Sequence, residues 1–112
     1  MNVLVCGGRD YNEIEDINTA LNMLPTTPSI IIQGGAKGAD NWAAVWAMHK
    51  GVHVAEVKAL WEYYGKSAGF KRNSAMLLLK PDYCVAFPGG RGTQSMVDLC
   101  KLNGVTVWQP YG

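Results

Sequence analysis

Tyr83-Cys84-Val85-Ala86-Phe87-Pro88-Gly89-Gly90-Arg91-Gly92-Thr93 runs from an apolar stretch through a glycine turn into a helix-like segment. A strand that ends in glycines and feeds a helix makes an anion seat. Glycine adopts backbone angles closed to other residues, and its missing side chain lets an anion approach main-chain N–H groups. The first turn of the helix adds unpaired N–H donors and the positive end of its dipole. One such loop is a weak signal, but this chain carries three. Cys6-Gly7-Gly8-Arg9-Asp10 follows Asn2-Val3-Leu4-Val5, and Gly34-Gly35-Ala36-Lys37-Gly38-Ala39-Asp40 follows Ile30-Ile31-Ile32-Gln33. In a parallel sheet all strand-to-helix loops lie at the carboxyl edge, where open α/β sheets bind ligands. Three glycine loops there read as one site.

Outward from these loops the pattern alternates. Strands are expected at 2–6, 29–33, 52–57, 82–87 and 105–109. Helices are expected from Ile14 to a stop at Pro25, at 39–49 before Gly51, at 71–79 before Lys80-Pro81, and at 93–102 before Gly104. Between the third strand and third helix an irregular connection carries Trp61, Tyr63 and Tyr64 into Gly65-Lys66-Ser67-Ala68-Gly69. Strands alternating with helices of about ten residues predict an α/β fold, a three-layer Rossmann-like parallel sheet of about five strands. Right-handed crossovers leave the orders 3-2-1-4-5 and 2-1-3-4-5. The first puts the switch point between strands one and four, which carry Gly7-Gly8 and Gly89-Gly90, and is preferred on that ground.

The 112 residues are expected to form a single domain over 1–112. Apolar and charged fractions of 48% and 17% are those of an ordinary globular protein. No apolar run reaches about 18 residues, and the first strand lacks the basic flank of a signal peptide, so no membrane partner and a cytoplasmic location are expected. Cys6, Cys84 and Cys100 lack metal-type spacing and read as small packed hydrophobes, with no metal or cofactor implied. A net charge of +1 argues against a duplex nucleic acid partner. Of the ten cationic residues, Arg9, Lys37, Lys66, Lys71, Arg72 and Arg91 fall in the glycine loops or around Gly65 and Gly69. A locally positive mouth on a near-neutral body suits a small anion.

Several segments, in order, resemble the YspA-type branch of the SLOG superfamily. They are Val5-Cys6-Gly7-Gly8-Arg9-Asp10, Gly34-Gly35-Ala36-Lys37-Gly38-Ala39-Asp40, Trp61 with Gly65-Lys66, Ala68-Gly69, Arg72-Asn73, Met76-Leu77 and Ala86-Phe87-Pro88-Gly89-Gly90-Arg91-Gly92-Thr93. The resemblance implies a Rossmann-like domain related to the LOG phosphoribohydrolases and more distantly to DprA. LOG enzymes hydrolyse the N-glycosidic bond of a nucleoside monophosphate, and their motif reads Pro-Gly-Gly-x-Gly-Thr-x-x-Glu, the glutamate acting at the ribose. Here that position is Met96. Asp98 lies about 200° further round the helix and is no substitute. Cleavage through an oxocarbenium-like transition state needs a placed carboxylate, so the phosphate-binding half of the motif is kept while its catalytic half is missing.

The expected ligand contacts are Pro88, Gly89, Gly90, Arg91, Gly92 and Thr93, with Thr93 also a candidate N-cap. Gly7, Gly8, Arg9 and Asp10 form a facing wall, in which Arg9 forks a phosphate while Asp10 holds that arginine or binds a ribose hydroxyl, or the two make only a surface salt bridge. Gly34, Gly35 and Lys37 resemble a second anion seat, with Asp40 holding a ribose or the helix dipole. Lys66, Lys71, Arg72 and Asn73 would close over the ligand. Trp61, Tyr63 and Tyr64 would stack on a base or, as the more ordinary reading, pack in the core. Trp42, Trp46 and His49 share one stripe of the second helix and Ala39, Ala43 and Ala47 another. If the alanines face the sheet, the indoles form an exposed patch, and a homodimer through helix 39–49 is expected.

Two functions from different classes follow. One is a nucleotide-binding module that holds a nucleotide or nucleotide-derived signal, such as an ADP-ribose-type molecule, without turnover; a small chain with no output domain would sense or sequester it, as a phage-encoded sponge would. The other is a nucleoside-5′-monophosphate N-glycosidase using Glu13, Asp10 or Asp98. A DprA-like single-strand binder ranks third and would need stacked aromatics along a basic groove.

Overall fold

Val3, Leu4 and Val5 are fully buried, as expected of a strand covered on both faces in the middle of a parallel sheet. The computed structural model, which describes residues 1–112, places them in β1 (Asn2–Cys6) at the centre of a five-stranded parallel sheet. β2 (Ile30–Gln33) and β4 (Tyr83–Ala86) flank it, with Leu4 opposite Ile32 on one side and Cys84 on the other. β3 (His53–Glu56) and β5 (Thr106–Trp108) form the edges. The order is β3-β2-β1-β4-β5, as the placement of the glycine loops predicts.

Alternate side chains of the strands point to opposite faces, so the core divides in two. On one face Val3, Val5, Ile31, Val85 and Phe87 pack against α1 (Ile14–Asn22) and α2 (Ala39–Lys50). On the other, Leu4, Cys6, Ile32, Cys84 and Ala86 pack against α4 (Ala68–Leu77) and α5 (Arg91–Leu102). α3 (Trp61–Tyr64) and a 3-10 turn at Gly65–Ser67 precede α4. No helix is long and apolar enough to cross a membrane. The three cysteines are free and buried in the second core. Hydrogen bonding to the Cys100 and Cys6 thiols, reinforced by burial, pushes the Cys84 thiol up, which keeps it protonated and unreactive.

Two expectations are corrected here. α4 starts at Ala68 rather than Lys71; Ala68 is buried and the Trp61 ring lies against Gly69, so the first turn has contacts that the glycine in the sequence does not suggest. The tryptophan stripe of α2 is also not an exposed patch. Ala39, Ala43 and Ala47 do face the sheet and are fully buried, but the indoles turn sideways, Trp46 to the end of α1 and Trp42 to the segment that precedes it. Trp46 is 6% exposed and its Nε1 donates to Asn22 Oδ1 at 3.0 Å, while Trp42 Nε1 donates to Asn12 Oδ1 at 2.9 Å. Trp46 is therefore taken up within the chain and Trp42 is half-buried, which leaves little of the aromatic surface behind the expected homodimer through helix 39–49.

Candidate functional site

The loops after β1, β2 and β4 meet at the carboxyl edge. They do so closely: Gly8 N–H donates to the Pro88 carbonyl at 2.8 Å, and the Gly8 carbonyl accepts from Ala39 N–H at 3.3 Å. Gly7 is wedged between Ala39 and Phe87. At Gly89 a β-carbon would sit 2.7 Å from the Gly8 nitrogen and 2.8 Å from Thr93 Cβ, so the contact between the first and third loops requires glycine there. Tyr11 stacks on Phe87 with ring centroids 5.6 Å apart, and Tyr111 stacks on the same ring at 6.2 Å, bracing the first loop from behind.

Together with the first turn of α4 and the segment before α3, these loops enclose a cleft of about 1190 Å³. Six cationic side chains line it (Arg9, Lys37, Lys58, Lys66, Arg72, Arg91) against two acidic ones, Asp10 and Asp40. For a chain whose net charge is +1, this concentrates positive potential in one place. Lys71 is not part of it, because its Nζ lies over the Tyr64 ring at 4.7 Å. Arg9 and Asp10 are both exposed and do not pair with one another.

The free backbone donors decide where an anion fits. In the third loop the first bond is Gln94 N–H to the Gly90 carbonyl at 3.0 Å, which leaves Arg91, Gly92 and Thr93 N–H without backbone acceptors. Gly90 is the N-cap of α5 and offers no side chain, so Thr93 sits in the first turn rather than capping it.

The second loop differs. Asp40 Oδ2 accepts from Gly34 N–H at 3.0 Å and Ala36 N–H at 3.3 Å, and Gln33 Oε1 accepts from Gly35 N–H. The second anion seat expected at Gly34 and Gly35 is thus filled by the protein's own carboxylate and amide. Lys37 is the cationic side chain that this loop presents to the cleft.

Gln33 is buried and its Nε2 donates to Glu56 Oε1 at 3.1 Å, which fixes the amide that holds Gly35. Neither Gln33 nor Glu56 was singled out in the sequence, although a glutamine closing an apolar strand just before two glycines is a readable sign. Arg72 and Asn73 act as a strut between loops. Arg72 Nη1 donates to the Gly34 carbonyl and Nε to Asn73 Oδ1, each at 2.9 Å, and Asn73 Nδ2 reaches the Gly92 carbonyl at 3.4 Å.

Burial pushes the Asp40 carboxyl up from the ordinary 3.8 to about 6, outweighing the two backbone donors and Arg72, which pull it down. The folded value lies above the unfolded one. The contribution of this group to stability is therefore complete below about 3.8 and is lost as pH rises through about 6. Asp40→Asn keeps the acceptor oxygen and removes the charge. Between pH 3.5 and 7.5 the variant should gain on the wild type by at most about 3 kcal/mol, read by urea denaturation at each pH. A wild-type-minus-variant difference that stays constant across this range would refute the assignment.

Met96, at the position of the LOG glutamate, is 1% exposed and packs in the second core beneath the cleft. Asp98 lies on the outer side of α5, accepting from Gln94 Nε2 at 2.9 Å, and Glu13 does not line the cleft. Of the alternative carboxylates only Asp10 does.

Fold and site together define a Rossmann-like domain with a cationic cleft at the switch point of its sheet. The chain belongs to the YspA, cpYpsA-related SLOG family, whose family model matches residues 1–64. That span holds the first two glycine loops and Trp61, and the third loop lies beyond it. Membership points to a nucleotide-related ligand. The chain is also similar to the Gene 61 protein of Mycobacterium phage D29, with 35% identity over 115 residues that cover 94% of this chain and 92% of that protein. No solved structure matches it.

Proposed function

We propose that the protein binds a nucleotide or nucleotide-derived anion, such as an ADP-ribose-type molecule, at the carboxyl edge of its sheet, and that it senses or sequesters this ligand without turning it over. The observation that carries this reading is the open first turn of α5. It presents three N–H groups without backbone acceptors to a cleft lined by six cations and two acids. Such a turn complements a phosphate group through both hydrogen bonds and helix dipole. The proposed ligand contacts are the loop Pro88–Thr93, the walls at Gly7–Asp10 and Lys37, and Lys66 and Arg72 from the side. Asp40, Gly34, Gly35 and Asn73 support these from behind.

Met96 is the ground for the absence of turnover. A thioether in the core cannot stabilise an oxocarbenium ion or take a proton, and glycoside hydrolysis ordinarily uses placed carboxylates. The N-glycosidase reading stands on Asp10, an exposed carboxylate at the cleft.

A thermal-shift screen against nucleoside monophosphates, ADP-ribose, NAD and cyclic nucleotides, followed by chromatography of each mixture, separates the readings. At least one of these anions is expected to raise Tm and to be recovered intact. Free base in a mixture would establish turnover, and loss of that product in Asp10→Asn would assign the carboxylate. No shift with any compound would remove the nucleotide reading altogether.

A further inference from the structure

We propose that Trp61, with Phe70 lining the same cleft, is the seat of a planar heterocyclic base. The ligand is then a free nucleotide held at both ends, its phosphate on the first turn of α5 and its base on the α3–α4 rim. This rests on the anion-binding reading above and extends it.

Trp61 is 58% exposed and Phe70 65%, and both line the cleft. The ordinary reading of such residues as core does not hold for either. α3 buries none of its four residues, and the Trp61 ring rests on α4 at Gly69, where a β-carbon would lie 3.5 Å from its Cη2. A large indole left open to solvent at the mouth of a binding cleft is a surface lacking its partner. The neighbouring aromatics are differently placed. Tyr63 meets Tyr64 edge-on at 4.7 Å, Lys71 covers the Tyr64 ring, and neither tyrosine lines the cleft.

An aromatic face next to a cationic phosphate seat matches a molecule with a π-surface at one end and an anion at the other. Every nucleobase has such a surface, and stacking holds it without hydrogen-bond readout of its edges. A free nucleotide fits better than a single strand. A strand needs cations continuing along a groove to track successive phosphates, whereas here they converge on one cleft in a chain of net charge +1.

Calorimetric titration with AMP, GMP and UMP, beside ribose 5-phosphate as the base-free probe, tests this on the wild type, Trp61→Ala and Trp61→Phe. Trp61→Ala should weaken the nucleotides by about 5- to 100-fold and leave ribose 5-phosphate unchanged. Trp61→Phe keeps a π-face and should recover most of the loss. Phe70→Ala should show the same selectivity with a smaller effect. Since Trp61 is mostly exposed, Tm should hold in each variant.

Equal weakening of nucleotides and ribose 5-phosphate, or no weakening of either, would overturn the base seat while leaving the phosphate seat standing. If neither nucleotides nor ribose 5-phosphate bind the wild type, the anion reading fails and takes this one with it. Tighter binding of a single-stranded tetradeoxyadenylate than of AMP would overturn the free-nucleotide ligand.

Discussion

Gly38→Ala is expected to destabilise the protein by roughly 3–5 kcal/mol, near the top of the range for a single substitution. Gly38 is the N-cap of α2 with φ 78° and ψ −131°, a combination that L side chains rarely adopt. A β-carbon there would also press on the first loop, 2.7 Å from the Arg9 carbonyl carbon and closer still to the carbonyl oxygens of Gly8 and Arg9. Those atoms are backbone, held by the Gly8 to Pro88 and Ala39 to Gly8 hydrogen bonds, so they cannot yield as a flexible side chain would.

Gly51→Ala is the control. It too has positive φ, 69°, but nothing stands within 4 Å of its would-be β-carbon. Left-handed strain alone should cost about 1–2 kcal/mol. Urea denaturation of both variants gives the comparison. Equal losses would mean that the close approach of the first two loops is not a constraint, and the shared-site geometry would lose its main steric support.

The second large effect falls on binding rather than stability. Gly90→Asp should fold as well as the wild type, within about 1 kcal/mol, because aspartate is a favoured N-cap and the position has open space at φ −97°. Binding of a nucleoside monophosphate should nevertheless fall by at least roughly 100-fold. A carboxylate about 4 Å from a phosphate charge repels it by about 4 kcal/mol at an effective dielectric constant near 20, and it also competes for the same N–H groups. Gly90→Asn, neutral and of the same shape, should lose far less. Calorimetry on the pair reads charge separately from size. If Gly90→Asp binds as tightly as the wild type, the anion does not sit on this turn.

These two glycines illustrate how legible the chain is. Both were visible in sequence as members of glycine loops, and nothing in the sequence distinguishes them. Gly38 is constrained by the backbone of a loop nearly thirty residues away, and Gly90 is constrained by nothing around it. Asp40 is a similar case. It reads equally as a ribose ligand or a dipole partner, and the fold commits it to two N–H groups of its own loop. The indoles of α2 were misread because the sequence offers only two faces, sheet and solvent. A helix lined with alanines lies close enough to its neighbour to create a third.

What the sequence by itself determined was the sheet, its order and the edge that carries the site. Alternating apolar runs and helical segments admit few right-handed arrangements, and glycine loops after strands one and four select among them. Local chemistry was enough, because strand, turn and helix signals act over a few residues. Only the tertiary structure decided which N–H groups remain open, which carboxylates face the cleft and which aromatics stay in solvent. Each of these depends on whether a second group arrives within about 3 Å. Here the deciding groups, Asp40 at Gly34, Pro88 at Gly8 and Arg72 at Gly34, come from between six and eighty residues along the chain.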